Sequence, residues 1–194
     1  VLVTKMLSGL LPVYNCSNLR QLSSAMGLNY ETLRGWTKKN SIPFAWLLKL
    51  SKLSGIPLNP PFEIKSKTSS SSFRIPEFFS PSLARLLGLI LADGHLDKKY
   101  VEFHNVDDVL LRDFIGVCKT EFGLNGVVEK GDGYSRARVY SSALSEFFSH
   151  VFKVPIGDKS GVIYLPDFVL SSSDEHVSSL LGGLFDCDGY VCNM

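Results

Sequence analysis

Cysteine is scarce in this chain and histidine is scattered. Four cysteines (Cys16, Cys118, Cys187, Cys192) are spread over 194 residues with no Cys-x-x-Cys pair, which excludes a disulfide framework and a structural zinc site of ordinary spacing. A reducing, cytoplasmic setting is expected. His95, His150 and His176 make no metal-ligand spacing of their own and read as surface or packing residues. No apolar run approaches a membrane span, and no charged-then-apolar leader opens the sequence, so no membrane partner is expected. A nucleotide-binding glycine loop, a Ser-His-Asp set and a cysteine nucleophile setting are all missing.

Charge of one sign is also missing overall, since the formal net charge is +1. That balance conceals a division. Residues 1 to 73 hold nine Lys and Arg against two Asp and Glu, a balance of +7, whereas residues 74 to 194 hold eleven against seventeen, a balance of −6. A basic front part favours contact with a polyanion.

The front part, residues 1 to 57, supplies a candidate for that contact. Leu19, Leu22, Ala25 and Met26 mark one helical face before Gly27, and a second helix restarts at Asn29, a plausible N-cap, with Leu33 and Trp36 inward. Helix, glycine turn and helix describe a helix-turn-helix. Its second helix would turn Tyr30, Thr32 and Arg34 outward, followed by Lys38 and Lys39, which suits base edges and then phosphates. Phe44 to Leu53 reads as a packing helix stopped at Gly55. Residues 58 to 75, with prolines and a serine run, read as a linker.

The remainder is organised by a repeat. LLGLILADG (Leu86 to Gly94) returns as LGGLFDCDG (Leu181 to Gly189). Each copy carries small residues four apart, Gly88 and Ala92 in the first and Gly183 and Cys187 in the second. Four residues apart is one helix face, so each copy offers a flat strip on which two helix backbones can approach. Asp93 and Asp188 then stand at the same end of the two helices, with Gly94 and Gly189 expected as left-handed caps. Adjacent carboxylates are costly without a cation between them, as in metal-assisted phosphoryl chemistry.

Between the copies, the expected order is helix, two strands, helix, two strands, helix. Lys98, Tyr100, Glu102 and His104 alternate with Lys99, Val101 and Phe103, and Asp107 and Asp108 open a helix running to Phe122. A Gly-Asp-Gly turn joins the next two strands, on the second of which Arg136, Arg138 and Tyr140 form a cationic, aromatic strip. Ala143 to Phe152 closes the unit. Lys98, Tyr100, His104, Lys130, Arg136, Arg138 and Tyr140 together make a cationic and aromatic set of the kind that contacts phosphates or base edges, each of them alone being equally well a residue of a solvated strand face.

Both repeat copies, with their flanks HLDKKYVEFHNVDDVLLRDFIGVCKTEFG and IYLPDFVLSSSDEHVSSLLGGLFDCDG, resemble the LAGLIDADG homing endonucleases, especially intein-borne and archaeal-type members. The resemblance runs from about Pro76 to the end. It implies an α+β fold, in which a helix-turn-helix domain precedes one αββαββα saddle over 76 to 170 and a second motif helix over 171 to 194. It implies site-specific cleavage of double-stranded DNA with Mg2+ or another divalent cation, held by Asp93 and Asp188 as metal ligands and catalytic residues. A basic residue that orients the attacking water would be Lys159, with Lys153 as the alternative. Asp186 matches an earlier acid of the motif where the first copy has Leu91, and reads as packing or solvent-facing.

Only six residues follow Asp188, so a second saddle is not expected within this polypeptide, and Tyr190 to Met194 could begin one strand. The expectation is weak DNA binding and poor or no cleavage by this chain alone. A full-length enzyme would act as a monomer, with dimerisation open to a shorter chain. Val1 and the absence of a terminal His-Asn do not read as a complete intein. The competing reading is a non-catalytic DNA-binding regulator on the same scaffold.

Overall fold

A computed structural model describes residues 2–39, 42–58, 72–159, 161 and 163–189, together with the backbone of 63–65. The chain divides into two compact units, Val1–Asn59 and Pro60–Met194. No described helix is long and apolar enough to cross a membrane.

The first unit contains four described helices. Helix α1 (Leu2–Val13) is an addition to the expected set, and it buries Val3, Met6, Leu7 and Leu10 at helical spacing. Helix α2 (Leu19–Ala25) is N-capped by Asn18, whose side-chain oxygen accepts from the N–H groups of Arg20 and Gln21. The turn passes through Gly27 at φ +65°, a region open to glycine at little cost. Asn29 then caps α3 (Tyr30–Lys39), its Oδ1 accepting from Glu31 N at 2.8 Å. Leu33 and Trp36 face inward as expected, and Trp36 meets Trp46 of α4 (Phe44–Ser54) with ring centroids 5.5 Å apart.

The second unit begins earlier than the sequence suggests. Strands β1 (Glu63–Lys65) and β2 (Ser72–Arg74) pair antiparallel inside the stretch read above as a linker. Phe73 is 1% exposed and stacks on Phe122 at 5.4 Å, so β2 belongs to the core of this unit. The serine run between the strands lies outside the described residues, as do Tyr190 to Met194 with their expected strand and Cys192.

From Ser80 the order follows the expectation. Ser80 caps α5 (Pro81–Asp93) by accepting from Leu83 N, and Pro81 occupies the first turn, where its missing N–H costs nothing. Strands β3 (Gly94–Leu96) and β4 (Val101–His104) lead to α6 (Asp108–Phe122), capped by Asp107 and closed at Gly123 with φ +71°. Strands β5 (Val127–Gly131) and β6 (Tyr134–Val139) turn at Gly133, and α7 (Ser142–Val151) follows. The short α8 (Asp167–Leu170) and then α9 (Asp174–Asp188) complete the described chain.

The four later strands form one antiparallel sheet in the order β3-β4-β6-β5, so the unit is α+β. Alternation decides its faces. Val101, Phe103, Ala137 and Val139 are buried on one side, where Phe103 stacks on Phe114 of α6 at 5.5 Å. Phe122, Phe147, Phe148 and Phe152 extend that core with ring centroids 5.3 to 6.0 Å apart.

Helices α5 and α9 pack along the two motif strips. A Cβ on Gly88 would collide with the carbonyl oxygen of Leu180, and one on Gly183 with that of Arg85, so glycine is required on both sides of the crossing. Gly94 and Gly189 differ from expectation. Both are extended, at φ −85° and −70°, rather than left-handed. The glycine is needed for room: a Cβ on Gly94 would lie 2.7 Å from the oxygen of Ile90, and one on Gly189 would strike that of Phe185.

Candidate functional site

The α5–α9 crossing carries Asp93 and Asp188 to the last positions of the two helices, where each chain breaks away in an extended glycine. Both carboxylates act on the same two neighbours. The thiol of Cys187 is pushed up to about 11 by burial first and then by Asp93, Asp188 and Asp186, although the backbone N–H of Asp93 bonds to it. Lys159 has its ammonium pKa lowered by burial, against the opposing pull of Asp93 and Asp188. Asp93 and Asp188 are thus within electrostatic reach of both Lys159 and Cys187.

Lys159 also has a task that its sequence context does not disclose. Its Nζ donates to the carbonyl oxygens of Ile90, Leu91 and Ala92 at 2.8, 2.8 and 2.6 Å. The Ile90 carbonyl also accepts from the backbone N–H of Gly94, whereas those of Leu91 and Ala92 belong to the last turn of α5, which an α-helix leaves without internal partners. All three N–H donors of the ammonium are engaged in closing that helix end. Lys153, the alternative, adopts φ +62° and donates instead to the carbonyl of His150.

Asn105 is a site residue that sequence reasoning missed. Its Nδ2 donates to Asp93 Oδ2 at 3.3 Å, its Oδ1 accepts from Asp107 N at 2.9 Å, and its backbone N–H donates to the carbonyl of Ser135 at 3.2 Å. The signal in the sequence is an Asn two residues ahead of an acidic helix start, which forms such turns readily. Asp186 binds Arg85 at 2.7 Å, and Arg85 also binds Asp113 at 2.7 Å, so α9, α5 and α6 are linked through one guanidinium. The Asp186 side chain is 44% exposed.

The open face of the sheet departs from the expected row of cations. Arg138 lies between the rings of Tyr100 and Tyr140, 4.3 and 5.6 Å from their centroids. Its Nε and Nη2 donate to Glu102 Oε2 at 2.9 and 2.6 Å, and its Nη1 donates to Tyr140 Oη at 3.0 Å. Arg136 is bound to Glu129 at 2.7 Å, and His104 stands 3.2 Å from Glu102. Glu102, expected on this side with His104, and Glu129, which the expected set leaves out, thus share the face with the two arginines. Lys130 moves off the face altogether. It pairs across from Ser135, one residue out of phase with Arg136, and its Nζ bonds to Asp108 at 2.6 Å at the start of α6. Lys98 falls in the turn between β3 and β4 and is exposed.

In the first unit, Thr32, Arg34, Lys38 and Lys39 are exposed on α3 and Tyr30 is half-buried. Arg34 forms an exposed ion pair with Glu31 at 3.3 Å, and Arg20 of α2 lies over the Tyr30 ring at 5.0 Å.

Together these features describe a small α+β unit whose helix pair ends in two carboxylates beside a sheet with an open polar face. No family model matches the chain. It is similar to a segment of one subunit of the A-type ATP synthase of Pyrococcus abyssi, 34% identical over 117 residues, which is 60% of this chain and 11% of that protein. It is also similar to a segment of a glutamine–fructose-6-phosphate aminotransferase of Methanocaldococcus jannaschii, 29% identical over 157 residues, or 79% of this chain and 14% of that protein. A third similarity is to the DNA-directed RNA polymerase subunit Rpo1C of the same organism, 34% identical over 109 residues, or 54% of this chain and 12% of that protein. The chain therefore spans about an eighth of the length of the curated relatives it matches.

Proposed function

We propose that the chain carries the scaffold of a LAGLIDADG-type homing endonuclease, a site-specific enzyme that hydrolyses both strands of duplex DNA. The observation that carries the reading is the α5–α9 crossing: two motif glycines meet at the contact, and two motif aspartates finish the helices on one lysine and one thiol. A pair of carboxylates held this way is stable when a cation shares the charge.

The pattern of relatives supports the same reading from another side. An aminotransferase, one subunit of a synthase and one of a polymerase have no reaction in common, yet each contains a segment like this chain amounting to 11 to 14% of its length. A segment shared on those terms belongs to none of the three reactions. A mobile coding element with its own chemistry accounts for it.

Among the described residues no cluster of three or more His, Cys, Asp or Glu is assembled around a metal position. Mg2+ needs no such cage, because it keeps several waters and takes one or two carboxylates together with substrate phosphate. Asp93 and Asp188 fit that requirement. A divalent cation there would polarise the scissile phosphate and lower the pKa of an attacking water. The residues of the chain do the rest: Asn105 orients Asp93, and Lys159 holds the end of α5 and with it the Asp93 carboxylate.

The second reading is a DNA-binding regulator without catalysis. It draws on the engagement of all three Lys159 donors, which leaves none for orienting a water. Duplexes enriched by the chain from a random pool, incubated with Mg2+, test both. The endonuclease reading expects at least slow nicking that disappears in Asp93→Asn while binding persists. Binding with no nicking under any divalent cation would favour the regulator, and failure to enrich any duplex would remove both.

A further inference from the structure

Some glycines in and beside the helices have a reason inside the fold. Gly88 and Gly183 admit a backbone crossing, and Gly27, Gly55 and Gly123 take positive φ at turns or helix ends. Gly35 has neither reason. It sits in the middle of α3, outside the left-handed region, and a Cβ built on it would meet nothing within 4 Å. A glycine inside a helix weakens that helix relative to alanine, and here no internal contact compensates.

The surroundings of Gly35 on the helix surface are specific. One turn before it stand Glu31 and Thr32, both exposed, and one turn after it Lys38 and Lys39, both exposed. No ion-pair partner for Lys38 or Lys39 is found among the described residues, whereas Glu31, the one acid of residues 1 to 59, is engaged by Arg34. Seven Lys and Arg stand against that single acid in the same stretch. Gly116 in α6 is equally open, with Arg112, Asp113 and Lys119 one turn away, and differs in belonging to residues 74 to 194, whose balance is −6 rather than basic.

We infer that Gly35 is a contact point at which the sugar-phosphate backbone of duplex DNA approaches the α3 main chain more closely than any side chain would allow. Thr32 offers a hydroxyl on the near side, and Lys38 and Lys39 neutralise phosphates on the far side. The inference rests on reading the first unit as a DNA-binding module, and it names the part of that module which lies against the strand.

The test uses the full chain and a duplex that it enriches from a random pool at low salt. Gly35→Ala should keep or raise the thermal unfolding midpoint and weaken binding by about tenfold or more. Gly116→Ala is the control, with the same direction in midpoint and unchanged affinity. Gly35→Ala binding as tightly as the parent, while Lys38→Ala/Lys39→Ala binds weakly, overturns the contact at Gly35 and leaves the DNA-binding module standing. Unchanged affinity in all variants overturns both. A lower midpoint in Gly35→Ala overturns the inference too, since the glycine would then serve the fold.

Discussion

Glu102 takes a carboxylate to a position where its side chain is 9% exposed. Burial pushes its pKa up, but hydrogen bonds and charge from Arg138 and His104 outweigh that and hold it below the ordinary value of 4.5. The unfolded chain therefore binds the proton more readily, so the stability the pair contributes is present above pH 4.5 and is lost as pH falls through the folded value. Arg138→Met removes the main partner and leaves the buried carboxylate with weaker ones. We expect a loss of about 3–5 kcal/mol at neutral pH, read by urea unfolding, and an acid-unfolding midpoint moved to higher pH. An unmoved acid midpoint would show that the pair contributes nothing. Cys187 offers a second measurement at this scale. In a background lacking Cys16 and Cys192, its thiol should alkylate slowly at pH 8, because burial and three nearby carboxylates hold it near 11. Asp93→Asn, or saturating Mg2+, removes part of the opposing charge and should speed the reaction. Equal rates in all three conditions would argue against a cation shared by Asp93 and Asp188.

The two motif helices are matched in sequence but not in surroundings. Leu86 and Ile90 of α5 are fully buried, whereas their counterparts Leu181 and Phe185 of α9 are 43% and 65% exposed. Leu86→Ala should thus cost about 2–5 kcal/mol, and Leu181→Ala within about 0.5 kcal/mol of zero, both read by urea unfolding. A large loss from Leu181→Ala would mean that α9 has a covering partner in solution. Gly88→Val should be worse than either, since even the first carbon meets the carbonyl of Leu180. Periodicity makes these helices readable in advance, because an apolar stripe with glycine at fixed spacing has few other solutions. Strand faces are harder. The sequence suggests Lys130 beside Arg136, but facing depends on a register fixed by the Asp132-Gly133 turn, and one residue of phase sends a side chain to the other side. Glu102 is readable on the same side as His104, yet its pairing with Arg138 across two strands is a tertiary fact. Lys159 lies 67 residues beyond Ala92, whose carbonyl it holds, so nothing local to it could announce that role.

At the scale of the whole chain, the basic excess and the Asp93–Asp188 pair belong to different units. The basic residues 1 to 59 carry cations whose partners among the described residues are few, while the arginines of the sheet are already bound to Glu129 and Glu102. Counterion release comes from cations that neutralise phosphates, so the two units should differ in what they contribute to DNA binding. Lys38→Ala/Lys39→Ala removes two such cations and should lower the slope of log affinity against log salt by about 2, with little change in which sequence is preferred. Arg136→Ala should do the reverse. Its guanidinium is bonded to Glu129 and 26% exposed, so its removal frees the Glu129 carboxylate and changes local recognition more than phosphate neutralisation. We therefore expect its salt slope to stay within about 0.5 of the parent, while preference relaxes at one or two base positions. The two measurements, made by anisotropy titration over a range of salt and by re-selection from a random pool, separate positioning from reading. Equal slopes for both variants would mean that the sheet arginines release Glu129 and Glu102 on binding and act as phosphate contacts after all.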